Sequence, residues 1–213
     1  MFGKFFSLIF ITQMGKFKKS ERRDKIMAAA KKLFIQKGLD GLKMRELANA
    51  AGVNKGLLHY YFRSKQTLFQ EVFTDEAAQL YTHINEILLD DLPFEEKLSQ
   101  IVDEYFELLV KNPGMPVFVM SEMAKNPGFL PTALQKEIKT TLSLLSVELE
   151  KKGKQEQEAT LNFLLTLLSL CIFPFVAKPI LQQAGSLKSE DAVRFIVNRK
   201  EYVKSILLKS LEL

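Results

Sequence analysis

The chain has 213 residues, 47% of them hydrophobic and 26% charged, which excludes a disordered or collagen-like polymer and leaves room for a small module joined to a larger one. Its formal net charge of +5 is unevenly divided: residues 16–66 carry 14 Lys and Arg against 4 Asp and Glu, whereas residues 67–213 carry 15 against 21. With Cys171 the only cysteine and His59 and His83 the only histidines, an intrachain disulfide is excluded and no Cys- or His-based metal centre is expected.

A basic first module on an acidic remainder is the pattern of a polyanion-binding head on a body; a merely solvated basic face has the same composition. The single thiol fits a reducing cytoplasm. Residues 1–15 read as an extension, either disordered or upstream of the native start, with Met14 a plausible initiator. Their apolar run from Phe5 to Thr12 is too short to span a bilayer, although a membrane-surface anchor is an alternative.

In chain order the remainder reads as helices. Ser20 is a candidate N-cap for a first helix with Ile26, Ala29, Ala30, Leu33 and Phe34 on one face, stopped at Lys37-Gly38. A short second helix covers Met44 to Ala51, with Met44, Leu47, Ala48 and Ala51 inward, and Gly52 closes it. Asn54 caps a third that runs to about Tyr61, and Ser64 caps a fourth that continues to about Leu89, where Asp90-Asp91-Leu92-Pro93 breaks it. Five more follow at about 94–111, 116–125, 131–152, 156–183 and 189–211, separated by Asn112-Pro113-Gly114, Asn126-Pro127-Gly128, Gly153 and Gly185. Leu161 to Ala177 is nearly all apolar. Its length of under about 18 residues, Pro174 and the polar Asn162, Thr166 and Ser169 argue for a buried or interface helix over a membrane span. A helix apolar all round needs cover on every side, so pairing of two chains through this helix and the last one is expected.

The informative segment is 37–69, KGLDGLKMRELANAAGVNKGLLHYYFRSKQTLF. A short helix, a tight turn at Ala51-Gly52-Val53 and a second short helix form a helix-turn-helix, whose second helix fits the major groove. Arg45-Glu46-Leu47-Ala48, Ala51-Gly52-Val53-Asn54-Lys55-Gly56-Leu57-Leu58-His59-Tyr60-Tyr61-Phe62, Ser64-Lys65 and Leu68 resemble the tetracycline-repressor (TetR) family of bacterial regulators. About 50 residues carry the likeness directly, with a weaker echo at Phe173-Pro174-Phe175 and at Asn198 to Tyr202.

The resemblance implies an all-α chain: a three-helix DNA-binding domain over 16–66 and a helical ligand-binding and dimerisation bundle over 67–213. It implies base-edge contacts from Lys55 and Gly56 with Leu57 adjacent, backbone contacts from His59, Tyr60 and Tyr61, and a phosphate held by Lys65 at a helix N-terminus. Lys43 and Arg45 are phosphate contacts or solvated charges. Leu47, Val53, Leu58 and Phe62 are core, and Tyr61 divides between core and phosphate. One departure stands out: Leu42-Lys43 replaces the Thr or Ser that often opens the family's second helix, and Asp40 is a substitute cap.

The partners so implied are double-stranded operator DNA, a small-molecule effector and a second copy of the chain through the last two helices; no cofactor and no membrane are expected. Phe106, Met115, Phe118, Met120, Met123, Phe129 and Phe163 are candidate linings for an apolar ligand pocket, although Met and Phe at helical spacing also make ordinary core. The anticipated protein is a repressor released from its operator by a small hydrophobic molecule; activation would use the same residues. An enzyme is not expected, since no nucleophile triad, phosphate-cradling glycine loop or carboxylate cluster with ligand spacing is present. A basic head docking on anionic lipid is the third reading, separable by a sequence-specific footprint.

Overall fold

The computed structural model describes the backbone of residues 2–125, 128, 130–154, 157–185 and 189–211. Among the described residues there are nine helices and no strand: α1 (Phe2–Gly41), α2 (Met44–Ala50), α3 (Lys55–Tyr61), α4 (Lys65–Leu89), α5 (Phe94–Lys111), α6 (Met115–Lys125), α7 (Thr132–Lys151), α8 (Gln157–Gln183) and α9 (Ser189–Ser210). The all-α class and the order of elements match the periodicity of the sequence.

The chain divides into two compact units, residues 1–72 and 73–213. This lies past the boundary anticipated at 66/67, inside α4, because Leu68, Phe69 and Val72 are buried and the Phe69 ring meets Phe34 of α1 edge-on at 4.7 Å. The start of α1 also differs from expectation. Its backbone is helical from Phe2, and Ser20, the anticipated N-cap, lies inside the helix. No proline interrupts residues 2–20, which lets the helix propagate upstream of Ile26. At the other end Gly38 adopts φ 68° and ψ −179°, not the left-handed helical stop anticipated but an extended positive-φ conformation that essentially only glycine takes; it interrupts the long helix, and a final turn follows to Gly41.

In the first unit, Ile26, Ala30, Leu33 and Phe34 of α1 are buried together with Leu42, Leu47, Ala48, Leu58 and Phe62. In the second unit, α5 packs against α8 and α9, and α8 against α6, α7 and α9. The shared core runs from Leu80, Ile84 and Leu88 through Val102, Tyr105 and Phe106 to Cys171, Phe175, Val203 and Leu207.

Polar links tie this bundle together. Lys97, 3% exposed, donates to the Leu88 carbonyl at 2.9 Å and to Glu148 Oε1 at 2.8 Å, joining the end of α4 to α5 and α7. Glu148 also accepts from Lys151 at 3.0 Å. Burial raises its carboxyl's pKa, but the bonds from Lys97 and Lys151 prevail and hold it below the ordinary value. Thr141 donates to Asn85 Oδ1 at 2.6 Å, and the Asn85 amide donates to Glu137 at 3.1 Å, a second link between α4 and α7. Lys200 and Lys204 of α9 converge on Asp103 of α5 at 2.7 and 2.9 Å.

α8 is 27 residues long and contains an 18-residue window with mean hydropathy 2.1, so length and composition alone would let it cross a membrane. The argument from shortness therefore fails. What separates α8 from an isolated span is its packing: Thr160, Phe163, Leu167, Cys171, Pro174, Phe175 and Ala177 are buried at three- and four-residue spacing along one stripe. The opposite side carries Leu165 at 60% exposure, Phe173 at 62% and Ile180 at 65%. The helix is apolar all round by sequence but covered by its own chain on one side only.

Candidate DNA-binding site

The turn between α2 and α3 is closed by backbone hydrogen bonds before any side chain contributes. Gly52, with φ 65°, donates to the Asn49 carbonyl at 3.1 Å, and Val53 donates to the Ala48 carbonyl at 2.9 Å. This paired pattern is the Schellman termination, and the positive φ explains why glycine stands at the turn. Two residues on, Asn54 Oδ1 accepts from the Leu57 amide at 2.8 Å and caps α3. Ser64 Oγ accepts from the Thr67 amide at 3.0 Å and caps α4. Both caps are the ones the sequence predicts.

Leu47 of α2, Leu58 of α3 and Phe62 after α3 are fully buried and set the angle at which α3 leaves the core. With Leu58 inward, Lys55, Gly56, His59 and Tyr60 are exposed on α3. Leu57 and Tyr61 are half-buried, and the Tyr61 ring lies between Tyr60, at 5.3 Å, and Phe62, at 6.3 Å. Lys65 is the first residue of α4 and is half-buried; Lys43 and Arg45 are exposed at the start of α2. The sequence-predicted DNA-binding residues therefore all lie on α3 or at the N-terminal ends of α2 and α4.

Gly56 is informative because nothing inside the protein demands it. It sits within α3, where its φ is ordinary, and a Cβ built there would come no nearer than 3.4 Å, to Asn54 Oδ1. That is an ordinary contact, so a close approach from outside is the better reason for glycine at an exposed helical position, where alanine would be favoured by up to about 1 kcal/mol.

The start of α2 departs from the anticipated arrangement. Its N-cap is Lys43, with an extended backbone and no side-chain capping bond; Asp40, the anticipated cap, has its side chain outside the described residues. Lys37 instead pairs with Glu46 across the connection.

Arg23 is a residue that motif reasoning passes over. It pairs with Glu71 of α4, and its guanidinium lies 5.7 Å from the centroid of the Phe62 ring, so it braces α1 and α4 against the end of α3. The available signal is positional: Arg23 falls on the same helical stripe as Ile26, Ala30 and Phe34.

The candidate ligand linings separate in the second unit. Phe106, Phe163 and Met115 are buried, the first two in the shared core, where Phe106 meets Phe175 at 6.0 Å and Phe163 meets Phe94 at 6.1 Å. Met120 is 55% exposed and lines no buried pocket, because the face of α6 that carries it is turned outward. The side chains of Phe118, Met123 and Phe129 lie outside the described residues. A cavity of about 390 Å³ opens elsewhere, between α4 and α5, lined by His83, Glu86, Ile87, Asp90, Gln100, Asp103 and Glu104. Its walls are acidic and share no residue with the predicted apolar lining. Among the described residues no group of three or more His, Cys, Asp or Glu is placed to hold a metal ion.

Comparison with known proteins converges on this head. Residues 26–72 match the family model described as bacterial regulatory proteins, tetR family. The "Probable HTH-type transcriptional regulator YttP" of Bacillus subtilis is 26% identical over 164 residues, covering 74% of this chain and 79% of that protein. The HTH-type transcriptional repressor KstR2 of Mycolicibacterium smegmatis is 29% identical over 112 residues, 53% of this chain and 54% of that one, so the likeness spans about half of each. Among solved structures, the transcriptional regulator FadR of Bacillus subtilis, crystallised with stearoyl-CoA, superimposes with a TM-score of 0.56 at 18% identity, covering 86% of this chain and 96% of that one, which shows a shared fold. With a capped and correctly turned helix-turn-helix in residues 26–72 and a helical bundle following it in the chain, the protein is similar to transcriptional regulators of the TetR family.

Proposed function

We propose that two copies of the chain bind operator DNA with α3 in successive major grooves and repress transcription until a small hydrophobic molecule releases them. The observation that carries the DNA contact is α3 itself: Leu58 anchors it while Lys55, Gly56, His59 and Tyr60 stand exposed together on a fully capped helix. Lys55 and Gly56 address base edges, with Leu57 beside them. Tyr60, Tyr61 and His59 flank the backbone, and Lys65 with the N-terminus of α4 takes a phosphate. Lys43 and Arg45 serve the adjoining backbone.

Pairing through α8 and α9 is supported by their uncovered apolar sides, with Leu165, Phe173 and Ile180 on one and Phe195 and Tyr202, 43% and 57% exposed, on the other. Such a dimer presents two recognition helices, and half-sites about 34–36 Å apart match one turn of DNA. Effector binding would favour a spacing that no longer fits, which is a population shift between two states of the dimer. A hydrophobic effector suits a body whose interior, around Phe106 and Phe163, is aromatic and aliphatic, and the FadR relative carries an acyl thioester. Repression follows the precedent of KstR2. The same reading makes the protein cytoplasmic, where its DNA is.

Selection of binding sites from random duplex DNA, followed by footprinting, tests the reading. The parent chain should return a palindrome, and Lys55→Ala should return a changed or relaxed one at a loss of about 1–3 kcal/mol in discrimination. If the selected sequence does not change, α3 does not read bases.

A further inference from the structure

We infer that Arg23 is a positioning residue for DNA binding: paired with Glu71 and seated over Phe62, it fixes the first two turns of α4, and with them Lys65, relative to α3. The inference rests on the DNA-binding reading above, in which Lys65 holds a phosphate, and gives that contact its support. Arg23 itself touches no DNA in this role.

All of these residues lie in the first unit. The connection from α3 to α4 is three residues long, Phe62 to Ser64. Phe62 is fully buried and donates its amide to the Leu58 carbonyl at 2.8 Å, Arg63 is exposed, and Ser64 caps α4 through the Thr67 amide. Beyond the cap, Leu68, Phe69 and Val72 bury one side of α4, with the Phe69 ring edge-on to Phe34. Burial of this kind holds the helix down but is non-directional. Arg23 adds the directional contacts. Its guanidinium pairs with Glu71, six residues past Lys65 on α4, and lies 5.7 Å from the centroid of the Phe62 ring. A charge-assisted pair and a cation over a ring face are both satisfied at one placement of the helix. Both side chains are part-exposed, so the pair adds little to stability; its effect is on where α4 begins. A charge-assisted bond from Lys65 to a phosphate is made at about 2.7–2.9 Å, so a shift of about an ångström at that end breaks it.

The sign of one charge separates this role from a direct phosphate contact by Arg23. Were Arg23 to meet the DNA, Glu71 would compete for it, and removing the carboxylate would tighten binding. As the anchor of Arg23, Glu71 does the opposite: its removal weakens binding although the chain gains a net positive charge.

The test measures the affinity of the full-length chain for the duplex selected above, with helix content and the unfolding midpoint followed in parallel. Glu71→Gln should weaken binding about 10-fold with the preferred sequence unchanged. In ethylation interference it should lose the same phosphate as Lys65→Ala and keep the others. Arg23→Lys retains a cation for Glu71 and Phe62 and should stay within about 3-fold of the parent. In a Lys65→Ala background Glu71→Gln should change affinity by less than about 2-fold, because the contact it positions is already gone. Unchanged or tighter binding by Glu71→Gln overturns the inference. So does a loss that adds in full to that of Lys65→Ala, the mark of a general loosening of the fold. Should Glu71→Gln lower the helix content, Glu71→Asp, which keeps the carboxylate and shortens its arm, takes its place under the same criteria. Lys65→Ala without effect removes the phosphate contact, and this inference with it, while leaving α3 as the reader. A parent chain that selects no duplex fails the DNA reading itself.

Discussion

The two units solve the burial problem in opposite ways. In the first, α1, two short helices and the start of α4 enclose a core with Ile26, Leu47, Leu58, Phe62 and Leu68 at 0% exposure, and Lys43, Arg45, Lys55 and Arg63 are among the side chains left outside. In the second, the core is larger yet leaves Leu165, Phe173 and Ile180 open on α8 while burying an ion pair between Lys97 and Glu148. A surface meant for DNA needs cations and a rigid support; a surface meant for a second copy needs apolar area left uncovered by its own chain. The second unit leaves apolar area on α8 that its own chain does not cover.

Breaking the buried pair should produce the largest effect. Lys97→Met leaves Glu148 with only Lys151 in a dry site and frees the Leu88 carbonyl, and it should cost about 3–5 kcal/mol in denaturant unfolding; Lys97→Met/Glu148→Leu should recover most of that. Acid gives the same answer without mutation. Because Glu148 ionises more readily in the folded chain, its contribution is present above its ordinary value of 4.5 and is lost as pH falls through the lower folded value. The double variant should accordingly lose less stability than the parent below pH 4.5.

A charge on the open side of α8 sharpens the other half of the contrast. Leu165→Glu/Phe173→Glu should convert a dimer to a monomer in analytical ultracentrifugation, a loss of at least about 2 kcal/mol of association free energy, with helix content retained. A dimer of undiminished strength would place the interface elsewhere.

The smallest effect comes from the head. Gly56→Ala should stabilise the chain by up to about 1 kcal/mol, since the added methyl meets only an ordinary contact, while weakening operator binding. A variant that is both more stable and binds as well would show that the DNA does not approach Gly56 closely.

Legibility in the sequence followed the same division. The turn at Gly52, the caps Asn54 and Ser64, and the inward Leu47, Leu58 and Phe62 were readable because each depends on residues within a few positions of one another. The role of Arg23 was not, since Glu71 and Phe62 are distant in the chain and meet it only after α1 and α4 cross. Likewise Met120 and Phe106 look equivalent as apolar helical positions, and only packing sends one to the surface and the other into the core.

By itself the sequence determined the helices, their order and the helix-turn-helix, because periodicity, capping and glycine stops are local physics written residue by residue. The tertiary structure decided what depends on distant neighbours. It moved the division of the chain into α4 and buried Lys97 against Glu148. It also chose which side of α8 its own chain would cover, since a helix apolar on every side carries no instruction about which face to bury until its partners arrive.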